Sequence, residues 1–134
     1  AAAFCQDHPV GIDIESGANH ADLLDLVSHV CHPAERARLE SLSSDQEKRR
    51  LFLCYWTAKE AFLKAIGCGF QQAPETVCIV GDPFSGQATV EAPIAEAAPG
   101  GWNLHFLEIA ESHVLTVAAP REFAVQLVES PFDA

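Results

Sequence analysis

The clearest pattern in the sequence is a long run of helical periodicity at its centre. Ser44 and Glu47 have capping-box spacing, and the chain then continues without Gly or Pro to Ile66, where Gly67 suits a helix C-terminal cap. Twenty-odd residues at a rise of ~1.5 Å make about 30 Å of helix. One stripe of this helix is apolar, so much of it is predicted to be buried: Leu51, Tyr55, Ala58, Phe62 and Ile66.

A strand is predicted before this helix. Residues 10–15 alternate between apolar side chains and a set that includes Asp13 and Glu15. A period of two gives a strand with one apolar face and one face that carries both carboxylates. Between strand and helix, apolar residues at helical spacing predict a short helix over 22–30. A second short helix is predicted from Pro33 to about residue 42, since Pro is tolerated in the first turn of a helix.

The second half of the chain is rich in strand-forming residues. Short strands are predicted at 77–80 and 88–91, and residues 102–110 and 113–119 read as the two arms of a hairpin. Residues 122–129 are expected to form one more strand or a tail. The order of strand, helices and then strands predicts an α+β fold, with an antiparallel sheet packed on the long helix.

Length, charge and cysteine content argue against several classes of protein. The 134 residues predict one domain spanning 1–134, and the formal net charge of −11 argues against nucleic-acid binding. No apolar stretch approaches the ~20 residues that span a bilayer, so no membrane association is expected. The five cysteines are odd in number and lack C-x-x-C spacing, which favours reduced thiols and a cytoplasmic protein.

The candidate chemistry lies on the first strand and the long helix. Asp13 and Glu15 share a strand face about 6.6–7 Å apart along the backbone. Glu60 and Lys64 are at i and i+4 on one helical face, and Lys59 lies about 100° around the helix. Three carboxylates suit a hard cation such as Mg²⁺. The alternatives are a solvated strand face and an i,i+4 ion pair.

Two blocks of the sequence resemble the 4'-phosphopantetheinyl transferase superfamily. They are Val-Gly-Ile-Asp-Ile-Glu at 10–15 and, 41 residues later, Trp-Thr-Ala-Lys-Glu-Ala-Phe-Leu-Lys-Ala-Ile-Gly-Cys-Gly at 56–69. They match the family patterns G-[IV]-D-[IV]-E and W-x-x-K-E-A-x-x-K. Their form is similar to the Sfp type, and the resemblance covers residue 4 to about residue 119, where 113–118 resembles the family's late strand.

The resemblance implies a specific reaction and specific roles. Such enzymes move the phosphopantetheine arm of coenzyme A to a serine of an acyl or peptidyl carrier protein. By resemblance, Asp13, Glu15 and Glu60 would hold Mg²⁺ against the coenzyme A pyrophosphate. Glu60, or a water that it orients, would be the base for the serine proton. Lys64 would stabilise or protonate the departing adenosine bisphosphate, and Lys59 resembles a further phosphate contact.

The length of the chain raises a question about completeness. Sfp-type enzymes are about twofold larger, with coenzyme A bound between two similar halves, and this chain resembles the second half and contains no Met. We therefore expect a fragment, a chain that pairs with a separate first half, or a chain that self-associates. The alternative function is a non-catalytic half or assembly domain that needs a partner to complete the coenzyme A pocket. Another Mg²⁺ phosphoryl-transfer enzyme, such as a nuclease, is disfavoured by the acidic charge.

Overall fold

The computed structural model of the protein describes residues 8–17, 23–67, 72–92, 101–110, 113–120 and 122–126. The predicted long helix is confirmed, and we call it α3, Asp45–Ile66. At its start the Ser44 hydroxyl accepts a hydrogen bond from the Glu47 amide at 3.3 Å. Gly67 ends the helix in the left-handed region at φ 73°, and its amide donates to carbonyl oxygens of the last turn.

The strands form one antiparallel sheet in the order β1-β5-β4-β3-β2. The predicted α+β class and the pairing of the two long strands are confirmed, with an irregularity in register between Glu108 and Ala110. The first strand pairs with the last, so Asp13 lies opposite Thr116. The strands are β1 Gly11–Ser16, β2 Cys78–Val80, β3 Gln87–Glu91, β4 Trp102–Ala110 and β5 His113–Ala119.

Helix α3 lies against one face of this sheet. The hydroxyl groups of Thr57 and Thr116 are 2.7 Å apart and join the helix to β5 inside the core. The rings of Phe62 and Trp102 meet edge to face at 5.4 Å, which joins the helix to β4. The predicted apolar stripe is confirmed, since most α3 residues from 51 to 63 are buried.

Two short helical segments precede α3. The predicted helix over 22–30 is a 3₁₀ turn, Leu23–Leu26, followed by α1, Val27–Val30, and residue 22 lies outside the described part. The second predicted helix is α2, Pro33–Ser41. Residues 122–126 contain no strand, and 127–129 lie outside the described residues. In the part of the chain that the structure describes, no helix has the length and apolar character needed to cross a bilayer.

The face of β1 that carries the carboxylates is turned toward the helix. Gly11 is buried and Asp13 is 8% exposed, whereas Ile14, on the apolar face, is 40% exposed. The alternative of a solvated strand face is therefore wrong for Asp13. The polar side chains of this strand are placed at the boundary between sheet and helix, where they meet groups of α3.

Candidate active site

The site is built where β1 passes closest to the last turns of α3. Gly11 has no room for a side chain, because the backbone of α3 at Ala61 and the side chain of Ala65 fill that space. This close approach brings the strand residue two positions later, Asp13, against Lys64. A glycine at the start of the strand thus determines how near the carboxylates come to the helix.

Asp13 and Lys64 form an ion pair across this boundary. The Lys64 ammonium donates to Asp13 Oδ1 at 2.6 Å, and the two side chains are 55% and 8% exposed respectively. The hydrogen bond to Asp13 raises the pKa of Lys64, so the amine is held in its charged form. The second oxygen, Asp13 Oδ2, is buried and has no hydrogen-bond partner. A buried carboxylate oxygen without a donor is costly unless a ligand satisfies it.

Glu15 and Glu60 lie close enough to Asp13 to be affected by its charge. Burial and then the charge of Asp13 raise the pKa of Glu15 to about 7. Burial and then the Asp13 charge raise the pKa of Glu60, while Lys64 opposes that shift. Three carboxylates therefore surround one ammonium, and this cluster favours either protons or an added cation.

The donors in this cluster fit a divalent ion of the Mg²⁺ type. All are carboxylate oxygens, which Mg²⁺ prefers, and Asp13 Oδ2 is a buried oxygen in need of a partner. Among the described residues, however, no three His, Cys, Asp or Glu side chains are arranged to hold one ion together. Asp13, Glu15 and Glu60, the three predicted ligands, thus lie near one another without forming a complete metal site. One Asp13 oxygen is already bound by Lys64. Mg²⁺ usually keeps several waters and needs only one or two protein carboxylates, to which substrate phosphates are added, so this set is sufficient.

Lys59 is not part of this cluster. Its side chain is 1% exposed, and its ammonium donates to Val30 O at 2.6 Å, Pro74 O at 3.1 Å and Glu35 Oε1 at 2.5 Å. The resemblance implied that Lys59 contacts a phosphate. The structure instead places its ammonium inside the core, where it is already hydrogen-bonded to these three oxygens. Lys59 joins α3 to α1, α2 and the turn at Pro74.

Glu35 is the buried residue that sequence analysis missed. Its carboxylate accepts hydrogen bonds from the His32 amide at 2.9 Å and from the Ile79 amide at 2.6 Å, in addition to the Lys59 ammonium. Part of this was visible in the sequence, since Glu35 lies three residues after His32 and follows Pro33 at a helix start. Its pairing with Lys59 depends on tertiary structure and had no local signal.

Comparisons with known sequences point to one family. The family model described as 4'-phosphopantetheinyl transferase superfamily matches residues 9–118. The 4'-phosphopantetheinyl transferase HetI of Nostoc is 41% identical over 66 residues, covering 49% of this chain and 27% of that protein. A putative 4'-phosphopantetheinyl transferase of Synechocystis, slr0495, is 40% identical over 60 residues, covering 45% and 24%. The chain spans about a quarter of the length of these curated relatives.

Solved structures share the fold. A holo-(acyl-carrier-protein) synthase from Bacillus anthracis, solved in complex with CoA (3',5'-ADP), aligns with a TM-score of 0.67 at 18% identity, over 83% of this chain and 93% of that one. The Thermotoga maritima synthase gives 0.67 at 14% identity over 83% and 61%. The Neisseria meningitidis synthase gives 0.64 at 20% identity over 84% and 98%. At these identities the likeness shows the fold.

Proposed function

Because the chain belongs to the 4'-phosphopantetheinyl transferase superfamily, we propose that it transfers the phosphopantetheine arm of coenzyme A to a serine hydroxyl of an acyl or peptidyl carrier protein, with Mg²⁺. The observation that carries this proposal is the meeting of Asp13 and Lys64 at 2.6 Å, with Glu15 and Glu60 beside them. The two sequence blocks that resemble the family thus come together at one place in the fold.

The reaction exchanges one phosphorus–oxygen bond for another. The serine oxygen attacks the phosphorus that bears the pantetheine arm, and the bond from that phosphorus to the bridging oxygen breaks. Adenosine bisphosphate leaves with the electron pair of that bond. The serine proton passes to the Glu60 carboxylate, directly or through one water. The raised pKa of Glu60 suits this role, because it makes the carboxylate a stronger base than an ordinary glutamate.

The remaining residues of the cluster would stabilise the negative charge of the diphosphate and of the leaving group. Lys64 places an ammonium beside the carboxylates, where it stabilises the charge that develops on the departing bisphosphate. Asp13, Glu15 and Glu60 supply the oxygens that would hold Mg²⁺. When bound, Mg²⁺ offsets the charge of the diphosphate oxygens. Lys59 stabilises α3, the helix that carries Glu60 and Lys64, and makes no contact with the reacting groups in this scheme.

The direct test is mass spectrometry of apo carrier proteins incubated with the chain, coenzyme A and Mg²⁺. Carriers from fatty-acid, polyketide and nonribosomal-peptide systems form the panel. We expect the mass of one carrier to rise by one phosphopantetheine group, and chelation of divalent ions to abolish the gain. No transfer to any carrier, despite coenzyme A binding, would favour the alternative of a non-catalytic half that requires a partner chain.

A further inference from the structure

Lys64 makes an unusual contact for a residue that has to meet phosphate. Its ammonium rests on Asp13 Oδ1, an oxygen of the most deeply buried carboxylate in the cluster. The other Asp13 oxygen points into the structure without a partner. A divalent ion at Oδ2 would place its charge beside this ammonium, and the two cations would repel each other across one carboxylate.

The two lysine–carboxylate pairs of α3 differ in how easily they separate. Lys59 and Glu35 are each 1% exposed, and backbone carbonyls hold Lys59 in place. Lys64 is 55% exposed, so its long side chain can move into solvent without leaving a cavity. An ion pair with one exposed partner is worth little, about 1 kcal/mol or less, so a stronger ligand for Asp13 can displace the ammonium.

We propose that Lys64 is a built-in competitor of the divalent ion: it neutralises Asp13 when no metal is bound, and metal binding releases it toward the substrate phosphates. This inference rests on the proposed function, because it takes the cluster to be the metal site. Metal binding and the release of Lys64 are thereby coupled, so that the ammonium becomes available for the leaving group once the cation is bound. The contact that restrains Lys64 is the one that metal binding removes.

The lysines of the chain provide an internal control for this displacement. There are three, at positions 48, 59 and 64. At one pH, amine acetylation followed by peptide mass spectrometry reports how accessible each ammonium is. We expect saturating Mg²⁺ to increase the labelling rate of Lys64 severalfold, to leave Lys48 unchanged, and to leave the buried Lys59 unlabelled. An unchanged or slower rate at Lys64 would overturn the inference.

Metal affinity gives a second measurement that does not depend on transfer. Mn²⁺ binding followed by electron paramagnetic resonance should be tighter in Lys64→Met by about fivefold, the factor for ~1 kcal/mol of lost competition. Lys64→Arg keeps the charge and the pairing, so it should bind Mn²⁺ like the native chain. The chains are compared at one ionic strength, because salt screens an ion pair that has an exposed partner.

The outcomes separate this inference from the proposed function. Equal Mn²⁺ affinity in the native chain and in Lys64→Met refutes the competition, even where carrier transfer occurs. Absence of Mn²⁺ binding in both chains refutes the competition as well. Neither assay contains coenzyme A or a carrier, so failure of transfer with a positive result here would refute the proposed reaction alone. Circular dichroism of each variant confirms that it is folded.

Discussion

A β-carbon at Gly11 would stand 1.8 Å from the carbonyl oxygen of Ala61. Strand and helix backbones are thus in direct contact at this point, and only a residue without a side chain fits. We expect Gly11→Ala to lower the free energy of unfolding by about 3 kcal/mol, because β1 must move away from α3. Urea unfolding measures this, with Ile14→Thr on the open face of the strand as the control.

A second variant shows whether the backbone is the obstacle. The same β-carbon would also lie 2.9 Å from the Ala65 side chain. Ala65→Gly removes that neighbour but leaves the Ala61 carbonyl, so it should not rescue Gly11→Ala. Native stability in Gly11→Ala, or full rescue by Ala65→Gly, would show that the strand is not fixed by this contact.

Glu60 is the residue on which the proposed proton transfer depends. We expect Glu60→Gln to reduce carrier modification by about 10²-fold or more, because the amide cannot accept the serine proton. Its melting temperature should stay near that of the native chain, since the substitution preserves shape. The matched control is Glu47→Gln, an exposed carboxylate in the first turn of the same helix. Undiminished modification by Glu60→Gln would remove Glu60 from the mechanism.

The positions of the helices and strands could be predicted from the sequence, but the face of β1 that packs against α3 could not. Helix α3 was predictable because Ser44, the apolar stripe and Gly67 are local signals that agree with one another. The inward direction of Asp13 was not, because alternation shows two faces without showing which one meets the helix. Hydrophobicity alone favours burying Ile14, which is instead 40% exposed. Close packing at Gly11 reverses that preference.

Most of the residues that form the site could be predicted from the sequence, but the directions of all their side chains could not. The resemblance placed Asp13, Glu15, Glu60 and Lys64 in one region, and the structure brings these four together. Lys59 carries the same charge and adjoins Glu60 in sequence, yet it points into the core. Its direction is set by Glu35, a partner 24 residues away, which no pattern along the helix can reveal.

Lys59 is expected to act on stability. Lys59→Met leaves the Glu35 carboxylate buried without its counter-charge, which should cost about 3–5 kcal/mol in the free energy of unfolding. Adding Glu35→Gln removes that charge and keeps an acceptor for a backbone amide, so the double variant should recover part of the loss. Urea unfolding of the native chain, both single variants and the double variant measures the coupling. Native stability in Lys59→Met would contradict the role of this pair.

Glu15 should make the metal-free chain less stable as pH rises. Its pKa is raised from 4.5 to about 7 in the folded state, by burial first and then by Asp13. Between these values the folded chain holds a proton that the unfolded chain has released, so the free energy of unfolding falls as pH increases through this range. Glu15→Gln removes this dependence, because its amide is neutral at every pH. Its stability relative to the native chain should therefore increase from pH 5 to pH 8.

Urea unfolding at pH 5, 6, 7 and 8 in the presence of a chelator measures this difference, and other titrating groups largely cancel because both chains contain them. Glu91→Gln, which changes an exposed carboxylate at the end of β3, is the control for replacing one glutamate of the chain by glutamine. A constant difference between Glu15→Gln and the native chain would mean that Glu15 ionises near its ordinary value. Burial and the charge of Asp13 would then be too weak to raise its pKa, and the Glu15 carboxylate would have to be more exposed, and further from Asp13, than the structure places it.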